Sequence, residues 1–419
     1  MAVRQTVARV VRPVVVRGLL AKERLKTGVT FNPLSRQWRD DPVPLFERLR
    51  EKDPVHYSEL IGGWVVSRHE DVDAILRDHH RFSSDPRRGP NADVLAALEV
   101  TQSMLNLDPP DHTRTRSLVT QAFTPRAIEG WRERIEAVIS DLFAEIGEAA
   151  EFDVMECLAV PLPVVVIAEI LGVPPSDLPR FKAWSDDIAR TLEPSMSAED
   201  GGRAQRARQE LGDYFGAIIE ARRAEPRDDL ITSLVQAEAA GERLTHDELL
   251  ATLVLLLVAG NETTTNLIGN GTLALLRHPE QQRWLRDHPE QVESAVEELL
   301  RFDSPVQING RTTLVEVEVG GKRIPPQRQV ILLQGAANYD PLRWERPHGL
   351  DLSRGDKGHL SFGRGIHYCV GAPLARMEAQ MLFPRMLARW PNLRLAERDA
   401  SFRPNVVLRG LERLPVRVD

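Results

Sequence analysis

Between Thr245 and Arg277 the sequence holds one helical pattern without a break, and few architectures can bury such an element. Thr245-His246-Asp247-Glu248 reads as a capping box, with Thr245 as the cap and Glu248 at the third helical position. Residues 249–258 are almost wholly apolar, so this part is predicted to be covered on every side. His278-Pro279 stops the pattern. At about 1.5 Å per residue the rod is roughly 50 Å long, enough to cross a whole domain. Its apolar run is too short for a membrane span, and Glu262 interrupts it. The expectation is a mainly α-helical fold, a bundle around this central long helix with a small β region. Mid-rod, Ala259-Gly260-Asn261-Glu262-Thr263-Thr264 breaks the apolar pattern. Ala259 and Gly260 remove bulk, so a flat group can lie against the helix, although Gly260 weakens it by about 1 kcal/mol relative to alanine. Thr263 is placed to return its hydroxyl to the carbonyl of Ala259 and open a kink. An acid beside an alcohol in apolar surroundings is costly unless used or hydrogen-bonded. The plainer reading is a helix defect whose polar groups are satisfied.

Residues 362–371 read Phe-Gly-Arg-Gly-Ile-His-Tyr-Cys-Val-Gly and run into a helical pattern over 372–389. Gly363, Gly365 and Gly371 are expected to adopt angles that side chains forbid and to let the loop approach a flat partner. Cys369 falls at the start of the helix, where free N–H groups and the macrodipole favour an anion. A cysteine there is expected as a thiolate, hence a metal ligand or nucleophile. His367, two residues away, does not complete a recognisable nucleophile signature. A single axial thiolate on haem iron fits better, because the porphyrin supplies the in-plane ligands. The alternative is a buried cysteine in a glycine-rich turn.

Phe362, Gly365, Cys369 and Gly371 match, position by position, the haem-binding signature of the bacterial-type cytochrome P450 haem-thiolate monooxygenases. The sequence resembles that family over nearly its whole length. The resemblance implies the P450 fold and haem b (iron protoporphyrin IX), with Cys369 as the axial iron ligand. Residues 259–264 resemble the family's Ala/Gly-Gly-x-Asp/Glu-Thr element in its Glu form, with Ala259 beside the pocket. This implies proton delivery to dioxygen: Thr263 holds the oxygen-bearing group and its water, and Glu262 relays protons from solvent. His112 and Arg116 lie four apart, on one helix face, and match a pair that the family points at the haem propionates. Arg311 matches the other propionate arginine, and His359 a propionate-side histidine. Carboxylates at a buried edge need cationic donors, and arginine is the strong geometric match. Glu298 and Arg301 match a buried structural pair that supports the cysteine loop. Its third partner is expected from the stretch 337–354, where Tyr339 and His348-Gly349 depart from the family pattern; His348 and Arg354 are both candidates. Val306, Gln307 and Ile308 are expected to line the substrate pocket.

Elsewhere, helices are predicted over 41–50, 70–78, 125–146, 162–171, 178–190, 204–223, 232–240 and 292–302. Strands over 55–57 and 63–66 form a hairpin, and 408–416 a terminal hairpin. Asp111 is read as the cap of a helix starting at His112. Residues 85–101 read as a mobile loop with a short helix, and 195–202 as the hinge of a helical lid.

With 419 residues the chain is long enough for two or three domains, but no Ser/Gly-rich or strongly charged linker divides it. Residues 31–419 are therefore expected as one haem domain behind a basic leader, 1–30. Residues 1–26 carry seven Lys and Arg against Glu23 alone. They are expected to be disordered or loosely packed, or to make weak contact with an anionic membrane surface. The net charge of −7 gives no support for nucleic-acid binding. The two cysteines, with Cys157 read as a small buried side chain, are no disulfide framework and point to the cytoplasm.

The function implied is insertion of one oxygen atom from dioxygen into a hydrophobic small-molecule substrate, by hydroxylation or epoxidation. With no flavin or iron–sulfur region recognised, electrons are expected from an external ferredoxin-type partner and its NAD(P)H-dependent reductase. That partner is expected to dock near Arg114, Arg364 and Arg376. The competing readings are a peroxide-driven haem-thiolate peroxygenase, a non-catalytic haem sensor and a helical scaffold without cofactor.

Overall fold

The central helix runs from His246 to Arg277. Its capping box forms as expected, with the Thr245 hydroxyl accepting from the Glu248 N–H and the Glu248 carboxylate accepting from the Thr245 N–H. The structure, a computed structural model, describes residues 2–90, 103–190, 198–227, 229–239, 244–397 and 400–418. Helices Pro161–Ile170, Leu178–Ala189, Ala198–Ala224, Val292–Phe302 and Ala372–Arg389 pack directly on the central one. Their apolar faces join it in one continuous core. By length and composition His246–Arg277 could cross a membrane, but two-thirds of its most apolar window is buried inside the protein (67%). It is the core rod.

A five-stranded sheet lies beside the helices, in the order Val55–Ser58, Gly63–Val66, Gln329–Leu333, Ile308–Thr313, Phe82–Ser83. Gly63–Val66 and Gln329–Leu333 pair in parallel, with Val65 opposite Ile331 and Val66 opposite Leu332. Alternation along the strands then sends Val66 and Leu332 into one apolar layer and Val65 and Ile331 into another. This arrangement carries the strand Ile308–Thr313, and Arg311 on it, to the edge of the helical body.

Several expectations are corrected. The span 125–146 is two helices, Pro125–Glu129 and Arg132–Ile146, separated at Gly130 and Trp131. Asp111 is not a cap: the helix is Asp111–Thr120, with Pro110 in the cap position, and Asp111 lies in the first turn. The lid helix begins at Ala198, so 198–202 is helical rather than a hinge; 191–197 and most of the predicted loop 85–101 lie outside the described residues. Residues 408–416 are not one hairpin. Leu411–Arg413 pairs with Ser401–Phe402, and Pro415–Arg417 joins Glu151–Asp153 and Arg394–Leu395.

The basic leader is helical, Ala2–Thr27, and its end is not loose. Glu23 is 1% exposed. It accepts hydrogen bonds from the N–H groups of Phe31 and Leu60 and from the Ser58 hydroxyl, at 2.9, 3.1 and 2.8 Å. Lys22 and Lys26 bracket Glu59 at 2.7 and 2.6 Å. A carboxylate so fully engaged fixes the last turns of the helix to the first β-hairpin.

Candidate functional site

The cysteine loop closes on itself through the Cys369 N–H, which donates to the Phe362 carbonyl at 2.9 Å. Gly363 and Gly365 both have φ near +68°, where a side chain is strained. Gly365 is further constrained: a Cβ there would lie 2.6 Å from the Leu76 carbonyl oxygen, so its bareness lets the loop sit on helix His69–Arg77. Gly371 departs from expectation, with an ordinary φ of −81°. A Cβ there would make only an ordinary van der Waals contact, 4.0 Å from the Cys369 sulfur.

Cys369 is accessible to solvent although protein surrounds it, the situation of a side chain facing an internal cavity. Burial pushes its thiol pKa up. The Gly371 and Ala372 N–H groups at the helix start, and the charges of Arg116 and Arg376, oppose that shift. The helix end alone therefore does not ionise the thiol; a metal cation bound to the sulfur would.

Beneath the loop lie buried ion pairs. Arg301, with 0% exposure, meets the Glu298 carboxylate through two parallel bonds of 2.7 and 2.8 Å. It also donates to the carbonyls of Asn338, Pro347 and Gly349. The third partner is Arg354, whose Nε donates to Glu298 at 3.0 Å. His348 instead faces Glu47, at 3.0 Å on the surface. A second network joins Glu297 to Arg376 by bonds of 2.5 and 2.9 Å. The Arg376 guanidinium lies 4.5 Å over the Phe362 ring.

His359 belongs to this second network and not to the haem edge. Its Nε2 is 3.0 Å from Glu297, and its Nδ1 accepts from the Ser361 N–H at 3.2 Å. The histidine that joins the predicted propionate group is His367. Its ring centre lies 4.1 Å from that of His112. Burial, with the charge of Arg116, pushes the His112 pKa down to about 4; burial, with His112 beside it, pushes that of His367 down to about 3. Arg311, brought alongside by its strand, is lowered to about 10 by burial. Arg116 donates to the Tyr368 carbonyl. Both ring nitrogens of His112, Nε2 of His367 and Nη2 of Arg311 are buried without a partner. The sequence signal for His367 was its place two residues before the cysteine, within the same short loop.

Buried donors without an acid need an anion. Two carboxylates on the rim of a flat iron ligand would supply it, with the enclosed thiol below the metal. A macrocycle that carries its own in-plane ligands would need only one from the protein. These residues fit haem.

On the central helix, Ala259 is exposed in the middle of an otherwise buried stretch, so it borders open space. Thr263 returns its hydroxyl to the Ala259 carbonyl at 2.8 Å, as expected. Gly260 faces away: a Cβ there would touch Ile167 at 3.4 Å. Its bareness serves helix packing rather than a flat ligand. Glu262 also turns from the cavity and pairs with Arg403 at 2.5 Å. Burial raises its pKa, with Arg403 opposing. Of the three predicted lining residues only Val306 is half-exposed. Gln307 is buried, donating to the Ser304 carbonyl at 2.7 Å, and Ile308 packs in the core behind the sheet. The predicted docking arginines are all engaged: Arg114 with Glu248, Arg364 with Asp73 at 3.3 Å, Arg376 with Glu297.

The cytochrome P450 family model matches residues 61–295 and 290–391. The chain is 40% identical over 402 residues to the polyketide biosynthesis cytochrome P450 PksS of Bacillus subtilis (strain 168), covering 92% of this chain and 98% of that one. The solved structure of PksS superposes with a TM-score of 0.86 over 93% of this chain and 100% of that one. Identity is 38% to the 6-deoxyerythronolide B hydroxylase of Saccharopolyspora erythraea (89% and 95% covered). It is 40% to the vitamin D(3) 25-hydroxylase of Pseudonocardia autotrophica (90% and 94% covered).

Proposed function

This chain belongs to the cytochrome P450 family, and from that premise we propose which of its residues, partners and substrates serve the reaction. It is a haem-thiolate monooxygenase that carries haem b and acts on small molecules. A substrate C–H bond, dioxygen, two electrons and two protons become a hydroxylated product and water. Bound haem supplies the dioxygen activation, which an axial thiolate favours by pushing electron density toward O–O cleavage.

Cys369 would hold the haem iron through its sulfur. The observation that carries this is a lone thiol enclosed by protein yet open to a cavity, ringed by buried donors that lack acids. His112, Arg116, Arg311 and His367 would hold the haem propionates, His367 taking the role first given to His359. Glu298, Arg301 and Arg354 brace the loop. Ala259 and Val306 border the substrate space, which must exclude water. The Thr263 hydroxyl holds water at the cavity wall, and Glu262 brings protons to it.

The substrate is a hydrophobic molecule of polyketide or sterol type. The names of the relatives support that class. Electrons come from a ferredoxin-type protein and its NAD(P)H-dependent reductase. That ferredoxin must compete with Glu248 and Asp73 for Arg114 and Arg364, whereas Arg376 is committed beneath the loop. We place the protein in the cytoplasm. The exposed Val14 and Val15 beside Arg17 support weak contact of residues 1–26 with an anionic membrane surface.

The ferrous carbonyl spectrum tests the assignment. The wild type should absorb at the long wavelength peculiar to thiolate ligation, and Cys369→Ser should lose that band. If the serine variant keeps it, the ligand lies elsewhere.

A further inference from the structure

The acid and the alcohol expected to pass a proton between them are each engaged elsewhere. Thr263 is bonded to Ala259, and Glu262, one residue away, turns to Arg403. The Arg403 guanidinium bridges two positions one helical turn apart. One nitrogen meets Glu262 at 2.5 Å and another donates to the Asn266 side-chain oxygen at 2.6 Å. The segment that carries it is built for this contact. The Arg403 N–H donates to the Gly410 carbonyl at 2.9 Å, and a Cβ on Gly410 would collide with the Asn266 oxygen at 1.8 Å.

The same segment reaches the cavity. Val407 accepts from the Gln307 N–H at 2.8 Å, and Leu408 forms a bridge with Val306. A molecule that displaces Val306 therefore presses on the segment that holds Arg403. The other charged groups near Glu262 are Lys182 and Asp186 on helix Leu178–Ala189, which pair with each other at 2.6 Å. Arg403 is the cation in contact with the Glu262 carboxylate, and it is itself 31% exposed.

We propose that Arg403 is a positioning residue, a latch that holds Glu262 away from Thr263 until the terminal β segment shifts on substrate entry. The proposal rests on the reading of Glu262 as the proton carrier. Opening the latch frees a carboxyl that has lost its counter-charge in a buried place. Such a group takes up a proton more readily and can deliver it at the cavity wall.

The test uses holoenzyme and needs no substrate. Dithionite-reduced protein is mixed with air-saturated buffer, and its return to the ferric spectrum is timed in H2O and D2O from pH 6 to 9. R403Q should return roughly tenfold faster at neutral pH, a modest part of the 10²–10⁴-fold that a positioned proton-transfer group contributes. It should also show a larger solvent isotope effect and a pH midpoint moved upward. R403K, which keeps the charge but loses the bridge, should fall between R403Q and wild type. In an E262Q background R403Q should change nothing further. If R403Q does not take up haem, the same ordering in R403K, with and without E262Q, decides the matter. A rate in R403Q no faster than wild type overturns the latch. E262Q alone, in which the closed latch would keep the group from Thr263 in any case, should return at the wild-type rate; an R403Q acceleration that persists in E262Q overturns the proton-carrier reading itself.

Discussion

Arg301 carries more buried bonds than any other charged side chain beneath the cysteine loop, and replacing it should cost the protein its haem. R301M removes the bidentate pair with Glu298 and three donors to the carbonyls of Asn338, Pro347 and Gly349. Breaking a fully buried ion pair by truncating one partner costs about 3–5 kcal/mol. Each orphaned carbonyl adds about 1 kcal/mol, not additively. Arg354 still meets Glu298 and offsets part of this. The net expectation, about 5 kcal/mol, is comparable with the whole stability of many domains, roughly 5–15 kcal/mol. R301M should therefore be recovered with little haem and a broad, early thermal transition. R301K keeps the charge but not the fork, and should retain haem with an intermediate loss. R354M removes a single bond to Glu298 and one to the Glu345 carbonyl from a side chain that is 12% exposed, and should be the mildest. Haem-to-protein absorbance ratios and thermal unfolding by circular dichroism give the order. Full haem occupancy in R301M, or an R354M defect as large as that of R301M, would refute this account of how the loop is held.

Two further perturbations test separate parts of the site. Gly365→Ala places a Cβ 2.6 Å from the Leu76 carbonyl oxygen in a backbone conformation with φ near +68°. It should weaken haem retention well beyond Gly363→Ala, whose nearest neighbour would be at 3.8 Å; haem transfer to apomyoglobin measures both, and equal rates would contradict the close-approach argument. Glu297 is held down to about 2 by hydrogen bonds from Arg376 and His359 that outweigh the opposing effect of burial. Because its pKa is lowered on folding, its stabilisation is full above the unfolded value near 4.5 and is lost as pH falls toward 2. The difference in urea midpoint between wild type and E297Q should thus be constant from pH 8 to about 6 and shrink below about 5; a difference independent of pH would show that Glu297 titrates normally.

The parts of this molecule that follow from local pattern were legible in the sequence. The capping box at Thr245, the central helix and its end at Arg277, and the Thr263 bond to Ala259 all depend on residues within four positions of each other. Side-chain destinations across the fold were less legible. His359 and His367 both flank the cysteine loop, and spacing alone cannot say which ring is taken by Glu297, sixty-two positions away. The same holds for Gln307 and Ile308. They sit beside Val306 in sequence, but Ile308 pairs opposite Leu333 in the sheet and Gln307 is held by the Ser304 carbonyl, so both are buried. Arg114, Arg364 and Arg376 look cationic along the chain, yet each finds a carboxylate that only tertiary structure brings near.

That contrast has a physical consequence. Beneath the loop Glu298, Arg301 and Glu297 are ion-paired, with one buried nitrogen of Arg354 left without a partner, while above it His112, His367 and Arg311 together keep four such atoms. Unpaired buried donors cost stability, and a buried thiol stays neutral until a cation meets it. A ligand that brings two carboxylates and an iron cation relieves these penalties together. Its binding free energy is therefore also folding free energy. The ion-paired foundation holds the loop's shape against that cost, so losing Arg301 and losing the cofactor should destabilise the same part of the protein.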